Sequence, residues 1–337
     1  MRILVLGGTV FLGRAVIDSA LASGHSVTTF NRGKSGVDDA RVDVVRGDRT
    51  VAADLGRLAE AGPWDAVIDT SPQVPRDMLA SARSVEPLVR RYIVVSSVSV
   101  YRDWPDEPMT AGSALFACPT DAGPDDGHYG ELKAGCEAAA VSVLGERAVL
   151  VRPGIILGPH ENVGRLPWWL TRIARGGRVP VPRPDGPLQL VDVRDLADLL
   201  VRLATASEPA SSPVVAVGPV GRDTHGDLVR CAMDATGSAA DRVELPDDFL
   251  VARGIGVWSE LPLWTPVPVA GEPATHHWDV DPSSAVAAGL QSRPLAQTVS
   301  DTWDWLKDSP VQPARPEIGL DPQREAELLA AWDARVS

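Results

Sequence analysis

The stretch RILVLGGTVFLG, residues 2–13, decides the fold. Arg2–Leu6 is a short apolar run typical of a buried strand, and the residues from Gly13 to Ser23 have the spacing of an amphipathic helix. Glycines at the junction let the backbone turn tightly and let a pyrophosphate approach the positive end of the helix. The order of strand, glycine-rich turn and helix therefore predicts a dinucleotide-binding site. The residues expected to contact the dinucleotide are Gly7, Thr9, Val10, Phe11, Leu12 and Gly13.

Short strands and amphipathic helices continue to alternate through the first half of the chain. Further strands are predicted at Ser26–Phe30, Val42–Val45, Ala66–Asp69, Tyr92–Ser96 and Val149–Val151. Helices are predicted at Gly13–Ser23, Ala53–Ala61 and Arg76–Leu88, and from Tyr129 onward. This alternation predicts an α/β fold with a doubly wound parallel sheet of the Rossmann type.

The composition changes after Arg152, where prolines and tryptophans become frequent. We therefore predict a dinucleotide-binding core at residues 1–155. Residues 156–337 are expected to form mostly a smaller mixed lobe that binds substrate, with some segments returning to complete the sheet. Two helices are predicted in this half, at Val191–Leu203 and Asp321–Arg335. Four tryptophans there fit either an aromatic wall of the substrate pocket or, as we favour, core packing: Trp168, Trp169, Trp258 and Trp264.

The charge and the cysteines narrow the class of protein. A formal net charge of −13 argues against nucleic acid and anionic membranes as partners, because both need a basic surface. The three cysteines have spacings that match no metal motif, so neither a metal site nor a disulfide framework is predicted. The chain has no apolar run of about 20 residues and no signal-peptide pattern. We expect a cytoplasmic protein that acts on a small molecule, and a homodimer stays open.

The residues after the second and third strands bear on the type of dinucleotide. An NAD site usually has a carboxylate after the second strand, whereas an NADP site often has an arginine for the 2′-phosphate. Here Asn31 and Arg32 occupy that place, so NADP is favoured and NAD stays open. Asp48, after the third strand, either accepts a hydrogen bond from the adenine amino group or is a loop or capping acid.

A serine and a Tyr-x-x-x-Lys pair predict the chemistry. Ser97 follows the fifth strand, and Tyr129 and Lys133 lie four residues apart on a helix, where they share one face. A lysine ammonium near a tyrosine favours the phenolate, so the tyrosine can exchange a proton with a substrate oxygen. The serine hydroxyl can polarise the same oxygen. His128 could also reach the substrate, although a loop role is the more ordinary interpretation.

With these motifs the chain resembles the extended and atypical branches of the short-chain dehydrogenase/reductase superfamily, within the NAD-dependent epimerase/dehydratase group. The resemblance rests on Gly7–Gly13, Ser96–Tyr101, Tyr129–Lys133, Arg152-Pro153 with Gly158-Pro159, and Val191–Asp195. It implies Ser97 as the catalytic hydroxyl and Tyr129 as the acid/base. It implies that Lys133 binds the nicotinamide ribose and lowers the pKa of the tyrosine.

Departures from the family pattern narrow the expected reaction. Dehydratases of the group have an Asp-Glu pair after the catalytic hydroxyl, where this chain has Val98 and Ser99. Nucleotide-sugar enzymes usually have an asparagine at the place of Ile155, and the middle glycine of the loop is Val10 here. We therefore expect simple hydride transfer between a carbonyl and an alcohol. Two alternatives stay open: a nucleotide-sugar 4-epimerase, and a non-catalytic cofactor-sensing or RNA-associated protein.

We predict that the protein binds NADPH more tightly than NADH, because the guanidinium of Arg32 can pair with the 2′-phosphate. Arg32→Glu should weaken NADPH binding most, since it places a negative charge there. Titration of both nucleotides into both proteins measures this. Equal or tighter binding of NADH by the wild type would contradict the prediction.

Overall fold

The computed structural model describes residues 1–208, 213–267, 275–309 and 315–336. The strands in these ranges are β1 (Arg2–Leu6), β2 (Ser26–Asn31), β3 (Asp43–Arg46), β4 (Trp64–Asp69), β5 (Val89–Val95), β6 (Ala148–Pro153), β7 (Ile155–Leu157), β8 (Arg178–Pro182), β9 (Pro187–Leu188), β10 (Leu190–Asp192), β11 (Val214–Ala216), β12 (Asp223–Thr224) and β13 (Asp241–Leu245).

The helices are α1 (Phe11–Ala22), α2 (Ala52–Ala61), α3 (Pro75–Val85), α4 (Tyr129–Leu144), α5 (Arg165–Ala174), α6 (Val193–Thr205), α7 (His225–Thr236), α8 (Asp247–Ala252), α9 (Ser283–Ala287), α10 (Leu295–Lys307) and α11 (Pro322–Val336). None of the helices in the described part of the chain has both the length and the apolar character that crossing a bilayer requires.

Seven strands form one parallel sheet in the order β11-β6-β5-β4-β1-β2-β3. The order reverses direction between β1 and β4, and a crevice for ligands opens at such a switch point in doubly wound folds. The predicted α/β, doubly wound parallel sheet is therefore confirmed. β11 comes from the second half of the chain and pairs with β6, and the boundary at residue 155 between core and lobe stays a prediction.

The alternation of side chains along β1 explains why helices cover both faces. Ile3 and Val5 point into the apolar layer under α1 and α6, while Leu4 and Leu6 point into the layer under α2, α3 and α4. All four residues are at most 1% exposed. A strand buried on both faces reads as a continuous apolar run, which is why this strand is clear in the sequence.

Two predicted helix boundaries shift for local reasons. α3 ends at Val85, three residues before the predicted end, because Glu86–Leu88 tighten into a 3₁₀ turn that contains Pro87. α6 begins at Val193, not Val191, because Leu190–Asp192 pair with β7 as a strand. Asp192 then caps the helix, and its carboxylate accepts a hydrogen bond from the Arg194 amide at 2.8 Å.

The tryptophans of the second half pack into the core of the C-terminal lobe. Trp169 and Trp264 are at most 1% exposed, and Trp168 and Trp258 pack against the same apolar cluster. The indole of Trp169 donates to the Pro262 carbonyl at 2.8 Å, which satisfies its one polar group. The packing alternative is therefore correct, and an aromatic substrate wall built from these four side chains is wrong.

A buried ion pair ties α4 to the sheet. The guanidinium of Arg152, on β6, donates to both carboxylate oxygens of Glu137 at 2.9 and 2.6 Å, and it also donates to the Tyr101 hydroxyl at 2.9 Å. Both side chains of the pair are at most 4% exposed. Removing one partner would leave the other charge buried without compensation.

Glu137→Gln keeps the shape of the side chain and removes its charge. We expect the free energy of unfolding to fall by about 3–5 kcal/mol, the range for breaking a buried pair. Asp304→Asn is the matched control, because its pair with Lys307 has side chains 61% and 45% exposed. That change should cost about 1 kcal/mol or less. Denaturant unfolding of both variants checks this, and equal small losses would contradict it.

Candidate functional site

The carboxyl ends of the central strands open onto a cavity of about 910 Å³. Every residue that the sequence proposes for cofactor or catalysis lies on its wall, and together they span it from the β1–α1 turn to the start of α4. The residues so placed are Gly7, Thr9, Val10, Phe11, Leu12, Gly13, Asn31, Arg32, Asp48, Ser97, Tyr129 and Lys133. Their roles stay predictions, but the structure brings them together.

The glycine-rich turn has a conformation that only glycine adopts easily. Gly7 and Gly8 have φ angles of +112° and +104°. A Cβ on Gly13 would lie 2.6 Å from the backbone nitrogen of Gly8, so the helix begins in direct contact with the turn. Within the described residues, no side chain caps the first amides of α1, and its first turn has no acid. These amides are free to bind an anionic group.

The residues at the end of β2 and after β3 line the cavity, and two of them also shape the loops beside it. The Asn31 side chain accepts from the Gly33 amide at 2.8 Å and donates to Asp38 at 2.9 Å, so it shapes the loop. The Arg32 side chain is 56% exposed and lies 3.8 Å from the Asp48 carboxylate. Asp48 accepts from the Thr50 amide and hydroxyl at 3.0 and 2.8 Å, the contacts of a loop acid, while it also lines the cavity.

Ser97 begins the short 3₁₀ turn Val98–Val100 directly after β5. Its hydroxyl oxygen accepts from the Ser99 amide at 3.1 Å and donates to the Ser99 hydroxyl at 3.1 Å. Only 9% of Ser97 is exposed. The serine oxygen is thus fixed by its own turn and directed to the cavity that Ser99 also lines.

Close packing places Tyr129 beside this serine turn. Tyr129 is the first residue of α4, and the next residue, Gly130, approaches the turn so closely that a Cβ would lie 2.1 Å from the Ser99 carbonyl oxygen. The Tyr129 side chain faces the cavity, and the residue is 53% exposed. Desolvation within the cleft raises the pKa of its hydroxyl, while Ser97 and the charge of Arg165 oppose the rise.

Lys133 lies one helical turn after Tyr129 on α4, and its side chain is buried. Its Nζ donates to the carbonyls of Pro72 and Val95 at 2.9 and 2.8 Å, and the residue is 3% exposed. Burial lowers the pKa of this ammonium to about 8. The charge of Arg165 lowers the pKa of Tyr129, and a lowering by Lys133 stays a prediction. The binding of ribose by Lys133 stays a prediction.

His128 is the N-cap of α4, so the loop interpretation is correct. Its Nδ1 accepts from the Gly130 amide at 3.2 Å, and the Glu131 carboxylate accepts from the His128 amide at 2.9 Å. This reciprocal capping box fixes the start of the helix on which Tyr129 stands. The histidine therefore positions the tyrosine helix and does not line the cavity.

Sequence reasoning missed several residues on the cavity wall. Arg165 lies at the first position of α5, and Arg315 comes from the segment before α11. The signal for the first was weak: the Gly158-Pro159 motif ends shortly before α5. Nothing in the sequence pattern pointed to the second. Further residues on the wall are Arg49, Gln73, Asp77, Asn162 and Val163.

The wall has the features that a nicotinamide dinucleotide requires. The uncapped amides of α1 would hold the pyrophosphate, and Arg32 lies where the adenosine end would reach. Ser97 and Tyr129 lie at the opposite end, where a reacting oxygen would be bound. Among the described residues, no group of three or more histidine, cysteine or acidic side chains is arranged to hold a metal ion.

Comparison with known proteins agrees with this geometry. The model of the NAD dependent epimerase/dehydratase family matches residues 3–218. That range includes the glycine-rich turn, Ser97, Tyr129 and Lys133.

Solved structures with the same fold include sugar-nucleotide enzymes. WbmH of Bordetella bronchiseptica, solved in complex with NAD⁺, is 17% identical with a TM-score of 0.65, covering 92% of this chain and 99% of that one. The UDP-N-acetylglucosamine 4-epimerase of Bacillus cereus is 14% identical with a TM-score of 0.68, covering 94% and 100%. At these identities the likeness establishes the fold alone.

The chain is also similar in sequence to a chloroplast protein that is named for stem-loop binding. The chloroplast stem-loop binding protein of 41 kDa b of Arabidopsis thaliana is 26% identical over 252 residues, which is 70% of this chain. The match spans 63% of the length of that relative.

The buried Lys133 predicts a particular dependence of stability on pH. Its pKa is about 8 in the folded protein against 10.5 for the free group, so between these values the unfolded chain binds more protons. The free energy of unfolding therefore rises with pH in this window. Relative to Lys133→Met, the wild type should gain up to about 1.4 kcal/mol per pH unit.

Denaturant unfolding without cofactor, at several pH values from neutral to 10, measures that difference. Lys307→Met is the control, because Lys307 is exposed and its pKa is raised by Asp304, so it gives no gain in the window. A difference between wild type and Lys133→Met that does not change with pH would contradict the prediction.

Proposed function

The chain belongs to the NAD dependent epimerase/dehydratase family, and on that premise we propose that it is an NADP(H)-dependent oxidoreductase. It interconverts a carbonyl and an alcohol on a small-molecule substrate. The observation that carries the proposal is the placement of Tyr129 and Ser97 on the wall of the same cavity as the glycine-rich turn. A dinucleotide held along that wall by the glycine-rich turn would bring its reactive end toward Ser97 and Tyr129, whose hydroxyls could bind the reacting oxygen and exchange a proton.

Tyr129 and Ser97 have different roles in the proposed reaction. When bound, the nicotinamide supplies or accepts the hydride. In the reducing direction the substrate carbonyl carbon gains the hydride, the C=O π electrons move to the oxygen, and the Tyr129 hydroxyl gives that oxygen a proton. Ser97 holds the same oxygen in place. Solvent then returns a proton to the tyrosine through the open side of the cavity.

A tyrosine hydroxyl is protonated at neutral pH, and desolvation raises the pKa of Tyr129 further, so in the reducing direction this residue starts as a proton donor. The buried Lys133 would hold the ribose from below, since its ammonium already lies on the cavity wall beside the carbonyls of Pro72 and Val95.

The cavity also supports NADP over NAD. No carboxylate follows β2 directly, and the exposed Arg32 and neighbouring Lys34 line the cavity where a 2′-phosphate would lie. The Arg32 guanidinium is 3.8 Å from Asp48, a loose contact that a phosphate could replace.

A nucleotide-sugar 4-epimerase is the second candidate, because the structural neighbours include proteins titled UDP-sugar 4-epimerases. The two candidates differ in how they use the cofactor. An epimerase retains its dinucleotide and turns over without added cofactor, whereas the oxidoreductase consumes NADPH. Analysis of nucleotide released on denaturation, followed by assays of UDP-sugars without cofactor and of carbonyl compounds with NADPH, separates them.

A non-catalytic, RNA-associated role is the third candidate, and the name of the Arabidopsis relative motivates it. The formal charge of −13 argues against it, because neutralising phosphates needs basic side chains. Titration with a stem-loop RNA at physiological salt tests it. Tight binding of that RNA together with no turnover in the carbonyl screen would favour this candidate.

Tyr129→Phe removes only the hydroxyl and should lower turnover by about 10²–10⁴-fold, the usual contribution of a general acid. Cofactor affinity should stay nearly unchanged. Tyr101→Phe is the matched control, because its hydroxyl accepts from Arg152 and does not line the cavity. It should retain turnover. A fully active Tyr129→Phe enzyme would show that the proton comes from elsewhere.

A further inference from the structure

We propose that Arg165 and Arg315 form a binding site for an anionic group of the substrate, a carboxylate or a phosphate, at the Tyr129 end of the cavity. The proposal rests on the oxidoreductase function above and narrows its substrate to a small carbonyl or hydroxy compound that carries such a group. Arg315 lies beyond residues 3–218, which the family model matches.

The two guanidinium groups line the cavity and, within the described part of the chain, neither forms an ion pair, although the buried Glu161 carboxylate counters part of the charge of Arg165 from a distance. Among the described residues, neither side chain has a carboxylate within 4 Å or a hydrogen-bond partner. Some other arginines of the lobe form ion pairs, such as Arg172 with Glu325 and Arg178 with Asp333, both at 2.7 Å. Two like charges in a partly desolvated cleft repel each other, and an anion between them removes that repulsion.

Arg165 lies on the same cavity wall as Arg315 and Tyr129. Desolvation lowers the pKa of Arg165, and the charge of Arg315 lowers it further, while the charge of Glu161 opposes the change. The charge of Arg165 lowers the pKa of Tyr129. An anion bound by the two arginines would therefore lie in the same cavity as the tyrosine hydroxyl, which suits a small substrate.

Arg165 is held by a rigid first turn of α5. The Glu161 carboxylate, which is 0% exposed, accepts from the amides of Arg165 and Leu166 at 2.9 and 3.0 Å. The carboxylate thus accepts hydrogen bonds from the first backbone amides of α5, and the Arg165 side chain remains available for the cavity. The carboxylate also counters part of the charge of Arg165 without contacting its guanidinium.

The C-terminal segment brings Arg315 to the same wall. The amide of Arg315 donates to the Val163 carbonyl at 3.3 Å, and the amide of Gly319 donates to the Ser259 carbonyl at 2.8 Å. Gly319 packs so closely on Trp168 that a Cβ would lie 1.8 Å from its indole nitrogen. α11 then anchors the segment through the Arg172–Glu325 pair.

A planar guanidinium pair suits the oxygens of carboxylates and phosphates, which accept two parallel hydrogen bonds. A neutral ketone offers no such partner. The expected substrates are therefore keto or hydroxy acids, or phosphorylated analogues, and not their neutral esters.

Calorimetric titration of inorganic phosphate and of malonate into the NADPH-saturated protein tests the site directly. We expect saturable binding of at least one anion, weakened at least tenfold by Arg165→Ala and by Arg315→Ala. Arg165→Lys keeps the charge but not the planar fork, and should lie between. Arg324→Ala is the matched control, since that arginine lies in the first turn of α11, shortly after the segment, and contacts Glu260 and the Arg253 carbonyl outside the cavity.

The outcomes separate this proposal from the function on which it rests. Equal anion binding by wild type and both alanine variants, an adventitious ion only, would overturn the site. So would a matching loss of NADPH affinity in the variants, which would assign the arginines to the cofactor. If anion binding needs both arginines but Tyr129→Phe retains turnover, the site stands and the proposed chemistry fails. Turnover of neutral ketones with unchanged KM in both alanine variants, and no preference for acids, would overturn the substrate class alone.

Discussion

The contact between Gly13 and the backbone of Gly8 sets the geometry of the whole cleft. Because a Cβ on Gly13 would lie 2.6 Å from the Gly8 nitrogen, α1 can begin directly on the turn only if residue 13 is glycine, and the φ of +104° at residue 8 favours glycine there too. The amides of the first helical turn then face the cavity, and the strand before them occupies the switch point of the sheet. A second close approach, of Gly130 to the Ser99 carbonyl, places the start of α4 against the serine turn in the same manner. Two backbone contacts without side chains thus define both ends of the cavity.

Much of this site could be predicted because it is encoded locally. A buried strand, a glycine turn and a helix follow one another within residues 2–13, and the serine turn and the start of α4 each carry a short motif. The contacts of Lys133 could not be predicted in this way. Helical spacing predicts on which face of a helix a side chain lies, but not how deeply that side chain is buried. Lys133 is buried under the strand ends, where its ammonium donates to the Pro72 and Val95 carbonyls and not to the tyrosine hydroxyl. Arg165 and Arg315 meet only because α11 packs onto the lobe, which no local pattern encodes.

The tryptophans show that composition can indicate a change of structure without indicating where the side chains lie. Their frequency after Arg152 correctly indicates a change in the kind of structure, but their indoles fill the interior of the C-terminal lobe. Large flat side chains stabilise a lobe that has only short strands, such as the parallel pair of β8 and β13. The wall that faces the cavity from this lobe consists instead of Ile156, Asn162, Val163 and the two arginines. The lobe therefore contributes charge to the cleft, and its aromatic residues support that charged surface from behind.

The position of β11 has a consequence for how the protein is made. β6 ends at Pro153, but β11, the strand that pairs with its outer edge, is not synthesised until Val214–Ala216. Helix α6, which packs beside α1 on one face of the sheet, comes only at Val193–Thr205. During translation the nascent sheet therefore has an open edge at β6 and an uncovered apolar face over β1 for about the time that 60 residues take to leave the ribosome, or several seconds at ordinary rates of synthesis. An unpaired strand edge is a template for wrong pairing. A ribosome that pauses in this interval would prolong the exposure of that edge, and rapid translation of residues 154–216 would shorten it.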